Sequence, residues 1–365
     1  MNTKDIYLSL IRAALWGQSA VWPAEQTETL MRLNAIQGTG TMVFPMVLGQ
    51  EDIPAAAKMQ MKALCVHSMQ NQVHLQHILS LAWQALEKAG TRPVLMKGAG
   101  LAALYPDAQM RQWGDVDLFV GKEHYHPACA AMREVFPDAR KFDEELDHYK
   151  HYNLIAEGIS IEIHRVTVAL QHPADERHYA RMEKEGMEKC IELPLGGLTV
   201  RVPDPTFNAL FVFLHSWEHM MTEGANVRQM CDVGLLLHHY AKEINSAALK
   251  HNLKLLRLLD AWQLYAYILV NGLGFSRSEM LFYTDACAAR AHKLLDDLLN
   301  GKMHAPKSST PAPKNRILRK IHTMRERLDN AKRMGQYSKV YGRRMTATTL
   351  TNGAMRLFAK DRHWE

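Results

Sequence analysis

The sequence predicts an α+β protein, with a strand-rich middle that has helical regions before and after it. Apolar residues recur at helical spacing over roughly the first ninety residues and again beyond residue 204. Between these regions they lie in short β-rich runs, which are typical of strands. The clearest runs are residues 93–96, 116–120 and 159–164. Further along, Gly196 and Gly197 indicate a hairpin turn.

The helical regions are marked by their periodicity and by their ends. Residues 56–89 form a long amphipathic stretch that Gly90 ends. Asp204 can cap the free amides of a helix, and Pro205 is tolerated at the first helical position, so together they predict a helix start. Further helical patterns cover residues 207–221, 228–240 and 246–299.

These changes of pattern divide the chain into four units. They are an N-terminal helical region 1–90, an α/β core 91–203, a C-terminal helical domain 204–304 and a basic tail 305–365. A linker rich in Pro, Ser and Thr, residues 305–313, detaches the tail, which is predicted to be either helical or mobile. No aromatic and glycine RNA-binding signature accompanies its Lys and Arg residues. A solvated helix face is therefore favoured over a nucleic-acid site.

Composition bears on the compartment and on the cysteines. With 365 residues, 47% of them hydrophobic, the chain can bury a substantial core. The number of cysteines, 5, is odd, and no CxxC pair occurs, which argues against a disulfide framework and a cysteine zinc site. The sequence contains neither a run of about twenty apolar residues nor a secretion signal. We therefore expect a cytoplasmic protein that does not enter a membrane.

The sharpest local feature is a pair of aspartates at the start of a predicted strand. Asp115 and Asp117 are two residues apart, so both carboxylates should project from one face. Glu162 lies between two isoleucines of another predicted strand, an unusual place for a charge. Adjacent carboxylates repel each other, and a pair of Mg²⁺ ions would offset this. Taken separately, the aspartates are equally consistent with a solvated strand end, and Glu162 with a charged edge strand.

A second feature lies upstream, in residues 95–101, where a strand runs into a turn of small residues and then a helix. Such a turn exposes backbone amides at a helix N-terminus, an arrangement that holds phosphate, and Lys97 adds a positive charge. The turn, the helix, the strand with two aspartates and the isolated strand glutamate occur in that order. This combination is much more specific than any of its parts.

With these motifs, residues 93–235 resemble the uncharacterised nucleotidyltransferase family of the DNA polymerase beta superfamily whose members carry a Lys-Gly turn. The resemblance implies a small mixed sheet with helices on one side, and helical regions before and after it. Two features depart from the superfamily pattern: Gly98 and Ala99 replace its usual Gly-Ser, and the spacer to Asp115 is a few residues longer. The matching segments are residues 95–98, 104–106, 110–111, 114–118, 161–164 and 226–233, with His215 and His219.

The resemblance also implies an activity, the transfer of a nucleoside monophosphate from a triphosphate such as ATP to a hydroxyl acceptor. The acceptor would be a small molecule, a sugar, a peptide or a protein. Asp115 and Asp117 would bind two Mg²⁺ ions, with Mn²⁺ as an alternative, and Glu162 would bind the ion on the nucleophile side. The residues expected at the nucleotide are Lys97, Gly98, Ala99, Arg111, His164, Arg228 and Asp232.

Some of these residues have simpler explanations, which the sequence leaves open. Arg111 would then form a surface ion pair, and His164 would be packed or solvent-facing. Arg228 and Asp232 are one helical turn apart and would pair with each other.

Two other functions compete with this interpretation. His215 to His219 match the H-x-x-E-H pattern of a zinc site, although no downstream acidic helix offers a third ligand. A catalytically inactive nucleotide- or protein-binding module on the same fold is the other alternative. The presence of all three carboxylates argues against it. The histidines of residues 148–152 and 238–239 are interpreted as solvated.

Overall fold

The computed structural model describes residues 2–142, 146, 148–170, 172–222, 224–303 and 315–358. Helices lie before and after a small mixed sheet, which confirms the predicted fold class. The first four helices are α1 (Thr3–Trp16), α2 (Thr27–Ile36), α3 (Gly40–Val47) and α4 (Ala55–Lys88). Helix α4 is the amphipathic stretch expected at 56–89, and Gly90, with a φ of 73°, redirects the chain after it.

A five-stranded sheet forms the centre of the protein, with the strand order β1-β2-β5-β4-β3. Its strands are β1 (Val94–Leu95), β2 (Asp115–Phe119), β3 (Arg140–Lys141), β4 (His151–Ala156) and β5 (Ile159–His164). Strands β2 and β5 pair in parallel and the other neighbours pair antiparallel, so the sheet is mixed. A short helix, α5 (Ala99–Ala102), follows β1, and α6 (Gly121–Val135) follows β2.

Strand β4 was not among the predicted strands, and it pairs with β5 along its whole length. Every second residue of β4 is buried, beginning with Tyr152, as in a strand with one face toward a core. Glu157 and Gly158 join the two strands with φ values of 51° and 83°, which a tight two-residue hairpin requires. The alternation was not recognised because this strand begins within a histidine-rich segment.

Helices cover one face of the sheet, and polar side chains lie on the other. Val116 of β2 and Ile161 of β5 are fully buried in a cluster with apolar residues of α4 and α6. Since strand residues alternate between faces, Asp115, Asp117 and Glu162 project from the opposite side. The sheet therefore presents its acidic side chains away from the helical layer.

The second half of the chain is mostly helical. It begins with α7 (Pro173–Glu188) and a hairpin of β6 (Ile191–Leu195) and β7 (Leu198–Val202), which turns at the predicted glycines. The helices that follow are α8 (Pro205–Thr222), α9 (Val227–His239), α10 (Ser246–Leu255), α11 (Leu259–Leu273) and α12 (Ala288–Leu299). Asp204 accepts hydrogen bonds from the backbone amides of Thr206 and Phe207, which confirms the predicted helix start. Across the described ranges, no helix combines the length and apolarity needed to cross a membrane.

The basic C-terminal region forms a helical hairpin that packs on the rest of the protein. Its helices are α13 (Arg316–Gly335) and α14 (Lys339–Phe358), and the predicted linker lies outside the described residues. Arg344 donates to both carboxylate oxygens of Asp175, at 2.7 and 3.0 Å, and the buried Tyr337 donates to Asp297. These contacts join the described part of the C-terminal region to α7 and α12.

Gly342 of α14 lies against Gly335 of α13, and it carries a testable prediction. A Cβ atom there would lie 2.5 Å from the Cα of Gly335 and 2.9 Å from the carbonyl oxygen of Ala331. Because both are backbone atoms, the helices would have to separate, and Gly342→Ala should lower the free energy of unfolding by about 1–3 kcal/mol. Urea denaturation measures this. Gly49→Ala is the control, since nothing lies within 4 Å of the added carbon. Equal losses in both variants would contradict the prediction.

Candidate active site

The three predicted carboxylates lie together on the polar face of the sheet. In the parallel pairing of β2 with β5, Asp117 is opposite Glu162 and Phe119 is opposite His164. One oxygen atom from each of Asp115, Asp117 and Glu162 lies within 4.8 Å of the others. The pairing of two strands that are distant in sequence thus produces a single acidic cluster.

Asp117 is the most enclosed member of the cluster, with a side chain that is 1% exposed. Its Oδ2 lies 3.0 Å from Lys97 Nζ, and its Oδ1 lies 3.0 Å from His164 Nε2. Burial acts to raise the pKa of Asp117, but the charge of Lys97 and the hydrogen bond from His164 outweigh it. The pKa of Asp117 therefore lies well below its usual range. At neutral pH this carboxyl group is ionised.

His164 links two of the carboxylates. Its Nε2 lies 3.0 Å from Asp117 Oδ1 and 3.1 Å from Glu162 Oε2. Burial alone would lower the pKa of His164, but the hydrogen bonds to these two carboxylates raise it. The hydrogen bond between His164 and Glu162 offsets the effect of burial on Glu162 and lowers the pKa of that side chain. His164 is therefore neither solvent-facing nor simply packed, because it bonds directly to the acidic cluster.

Asp115 has less compensation for its charge than Asp117. Its pKa is raised from 3.8 to about 6, first because the charge of Asp117 is adjacent and second because the side chain is buried. The charge of Lys97 offsets only part of this effect. The cluster thus carries negative charge that the side chains of the protein do not fully neutralise.

This raised pKa predicts a pH-dependent effect of Asp115→Asn. The pKa of Asp115 is about 6 in the folded protein, against an ordinary value of 3.8, so Asp115 makes the protein less stable as pH rises through this window. Without metal ions, Asp115→Asn should stabilise the protein by about 1–2 kcal/mol near neutral pH, after allowance for solvent screening. At about pH 4 the gain in stability should vanish, because Asp115 in the folded wild type is then protonated and therefore uncharged, like asparagine. Urea denaturation in EDTA at both pH values measures this, and a gain that is equal at both would contradict it.

A buried ion pair lies beneath the turn that follows β1. Arg111 donates from Nε and Nη2 to the two oxygens of Asp232, at 2.6 and 2.9 Å, and from Nη1 to the carbonyl of Gly98 at 3.0 Å. Tyr105 also donates to Asp232, at 2.8 Å. Arg111 is 4% exposed, so the simpler explanation of a surface ion pair is wrong. Arg228 Nη1 is 3.6 Å from Asp232 and is therefore its more distant partner.

The turn itself brings Lys97 and Gly98 toward the carboxylates. Gly98 has a φ of +50°, and a Cβ atom there would lie 3.0 Å from the ring of Trp113, so the position requires glycine. The helix that follows, α5, is 4 residues long. Because this helix is so short, its dipole attracts an anion less strongly than the dipole of a longer helix would.

A cavity of about 180 Å³ opens between the turn and helices α8 and α9. The predicted residues that line it are Lys97, Gly98, Arg111, Asp115, Arg228 and Asp232. Asp117, Glu162 and His164 lie beyond this lining, in the adjoining cluster, and Ala99 is buried in α5. The cavity also receives His215 and His219 from α8.

His215 and His219 do not form the zinc site that their spacing suggested. Their Nε2 atoms are 3.1 Å apart, but neither belongs to a group of three potential ligands within the described residues. Lys97 Nζ lies 3.4 Å from His215 Nε2, and its positive charge would oppose a cation there. The geometry gives the zinc alternative no support.

His151, which the sequence analysis set aside as solvated, lies at the acidic cluster instead. In the pairing of β4 with β5 it is opposite His164. Its Nδ1 is buried without a hydrogen-bond partner and lies 3.8 Å from Glu162 Oε2. Burial lowers the pKa of His151 to about 4, so the imidazole is neutral near neutral pH. Recognition of β4 would have placed this residue correctly.

A model of the family described as uncharacterised nucleotidyltransferase matches residues 23–273, from the segment before α2 to the end of α11. The chain belongs to this family. The family match contains the acidic cluster, the turn and the buried ion pair, and it supports nucleotidyltransferase activity in general, with a nucleotide as substrate.

One solved structure similar to this member of the uncharacterised nucleotidyltransferase family is the crystal structure of an antigenic nucleotidyltransferase-like protein from Paracoccidioides brasiliensis. The sequence identity is 16%, the alignment covers 55% of this chain and 93% of that chain, and the TM-score is 0.35. No curated protein matches the chain.

Proposed function

We propose that the protein transfers a nucleoside monophosphate from a nucleoside triphosphate to a hydroxyl acceptor in a metal-dependent reaction. The observation that carries the proposal is the convergence of Asp115, Asp117 and Glu162 beside a cavity that receives Lys97 and Arg228. Two-metal phosphoryl transfer needs carboxylates that hold divalent ions and cationic groups that hold phosphate oxygens. Membership of the family supports the same class of reaction.

The acidic cluster suits magnesium. Its potential ligands are carboxylate oxygens within 4.8 Å of one another, and Mg²⁺ prefers oxygen ligands. The raised pKa of Asp115, which Asp117 causes first, indicates negative charge that a divalent ion would offset. Asp115 and Asp117 would hold two Mg²⁺ or Mn²⁺ ions, with Glu162 at the nucleophile side. When bound, the ions would activate the attacking hydroxyl group and neutralise the leaving pyrophosphate.

The phosphate oxygens are proposed to meet Lys97 and Arg228 in the cavity. Lys97 lies at 3.0 Å from Asp117 and also lines the cavity, so it can hold a phosphate oxygen close to the carboxylates. Arg228 also lines the cavity, and its planar guanidinium group suits phosphate oxygens. The backbone amides of Gly98 and Ala99 would supply further donors at the turn.

Arg111 and Asp232 are proposed to position the turn rather than to bind phosphate directly. Three nitrogen atoms of Arg111 already donate to Asp232 and to the carbonyl of Gly98. This pair therefore fixes the backbone of the turn relative to α9. A change in either residue should displace Lys97 and Gly98 together.

Glu162 is proposed to accept the proton of the attacking hydroxyl group. Its side chain is 23% exposed, so an acceptor molecule can approach it from solvent. His164 contacts Oε2 of Glu162 at 3.1 Å and would fix the orientation of the carboxylate.

The size of the cavity limits how a nucleotide can bind. Its volume of about 180 Å³ is below the roughly 300–1,000 Å³ of sites that enclose a whole small molecule. It suits the triphosphate, whereas the nucleoside would extend toward the protein surface. The acceptor, which is a small molecule, sugar, peptide or protein, would then approach over Glu162.

The test is transfer of label from each of the four α-labelled nucleoside triphosphates into a cell extract, with Mg²⁺ or Mn²⁺. Wild type is compared with an Asp115→Ala, Asp117→Ala variant and with Asp138→Asn, which changes an exposed aspartate away from the cluster. A product formed by wild type and Asp138→Asn, and lost in the double variant, would support the proposal. Absence of a product together with absence of metal-dependent triphosphate binding would refute it and favour an inactive binding module.

Lys97→Met should weaken triphosphate binding by about ten- to a hundredfold, the loss expected for a charge-assisted hydrogen bond. Methionine keeps much of the length of the side chain but removes the ammonium group. Calorimetry with Mg²⁺ and each triphosphate measures the effect. Lys184→Met is the control, because Lys184 is 77% exposed and lies on α7. Unchanged triphosphate affinity in Lys97→Met would rule out the role of this lysine.

A further inference from the structure

A second group of potential metal ligands meets at Glu162, and it includes imidazole nitrogens. One ligand atom from each of His151, Glu162 and His164 lies within 4.8 Å of the others. We infer that these three residues bind a divalent ion of the later first transition series, such as Co²⁺ or Zn²⁺, in preference to Mg²⁺. The inference rests on Glu162, which the proposed function also uses, but it concerns selection of a transition metal through His151 rather than nucleotidyl transfer, so the two can be tested separately.

The ligand chemistry determines which cation this group selects. Imidazole suits transition metals, whereas Mg²⁺ is bound mainly by carboxylates, phosphates and water. Two histidines with one glutamate are a ligand set that proteins use for zinc. Asp117 Oδ1, at 3.0 Å from His164 Nε2, is close enough to complete a fourth position. The carboxylate cluster alone offers no such nitrogen ligands.

The strand pairing holds the two imidazoles in position. His151 and His164 are cross-strand partners in β4 and β5, and their ring centroids are 4.9 Å apart. The buried Nδ1 of His151 has no hydrogen-bond partner, although it lies 3.8 Å from Glu162 Oε2. A buried polar atom of this kind is normally satisfied by a partner, and a cation between the two residues would be one.

An ion can reach this group from solvent. The side chains of His151 and Glu162 are 21% and 23% exposed, whereas His164 is at 1%. Coordination at His164 would release the Nε2 proton to solvent, because a histidine ligand must be deprotonated at the atom that binds, and the cation would then lie between the imidazole and the carboxylates. Only small movements of His151 and Glu162 would then be needed, because the ligand atoms already converge.

The test is titration of the full chain, stripped with EDTA, with Co²⁺ and separately with Mg²⁺. Visible absorption reports imidazole ligands of Co²⁺, and calorimetry reports both affinities. His151→Ala should weaken Co²⁺ binding by at least about tenfold and change Mg²⁺ affinity by less than about threefold. The control is His126→Ala, which removes an exposed histidine of α6 and should change neither affinity. Equal Co²⁺ affinity in wild type and His151→Ala would overturn the inference.

Two further results separate this inference from the proposed function. Co²⁺ binding that depends on His151, without any nucleotidyl transfer, would support the inference and refute the proposed function. Nucleotidyl transfer with Mg²⁺, combined with a Co²⁺ affinity that does not depend on His151, would support the proposed function and refute the inference. His151→Gln, which keeps a polar side chain but no imidazole, should weaken Co²⁺ binding to the same degree if His151→Ala folds poorly. Circular dichroism of each variant establishes folding before titration.

Discussion

Asp117→Asn should reduce the rate of nucleotidyl transfer by at least about a thousandfold, which corresponds to roughly 4 kcal/mol of transition-state stabilisation. The two oxygens of Asp117 have separate partners, the ammonium group of Lys97 for Oδ2 and the imidazole of His164 for Oδ1. Asparagine keeps the shape of the side chain but supplies neither the charge nor the second oxygen ligand. Initial rates at saturating triphosphate, with Mg²⁺, measure the effect.

The control for this prediction is Asp138→Asn, which removes the same charge from an exposed position outside the cluster. Its transfer rate should stay within about twofold of wild type, because exposed charges contribute little at a distance. Circular dichroism should show that Asp117→Asn is folded. A loss of less than tenfold in a folded Asp117→Asn protein would show that Asp117 does not hold the metal ions.

Asp232→Asn should lower the free energy of unfolding by about 3–5 kcal/mol, the cost of leaving a buried charge without its partner. Arg111 is buried and donates to both oxygens of Asp232, so the variant leaves its guanidinium group without an opposite charge at this position. The hydrogen bond from Tyr105 would also lose a charged acceptor. Urea denaturation measures the loss.

A double-variant cycle tests whether the ion pair itself causes that loss. The double variant Arg111→Leu, Asp232→Leu removes both charges. Its loss of unfolding free energy should be smaller than the sum of the losses in the two single variants by about 1–3 kcal/mol. The coupling is expected because each single change leaves one buried charge unpaired. Additive losses would mean that packing, rather than the ion pair, explains the effect of Asp232→Asn.

Several features of the protein, including parts of the acidic cluster, were predictable from short stretches of sequence. The shared face of Asp115 and Asp117 follows from the two-residue period of a strand, and the unusual position of Glu162 follows from its apolar neighbours. The hairpin at Gly196 and the helix start at Asp204 were predictable for the same reason. Each of these features depends on neighbours only a few residues away.

The partners of Arg111 and the position of His151 were not predictable in this way. Arg111 bonds to Asp232, on a helix far along the chain, and short-range spacing carries no information on such a pair. His151 required recognition of β4 and of its register against β5. The packing of Arg344 against Asp175, which holds the C-terminal hairpin, likewise joins distant segments.

The sequence by itself determined the fold class, the family and the local geometry of each motif, because periodicity and turn chemistry act over a few residues. The tertiary structure decided which motifs meet. The parallel register of β2 and β5 sets Asp117 opposite Glu162, and the packing of α9 sets Asp232 against Arg111. The physical reason is that strand register and helix packing depend on the whole buried core, whereas a motif depends on its immediate neighbours.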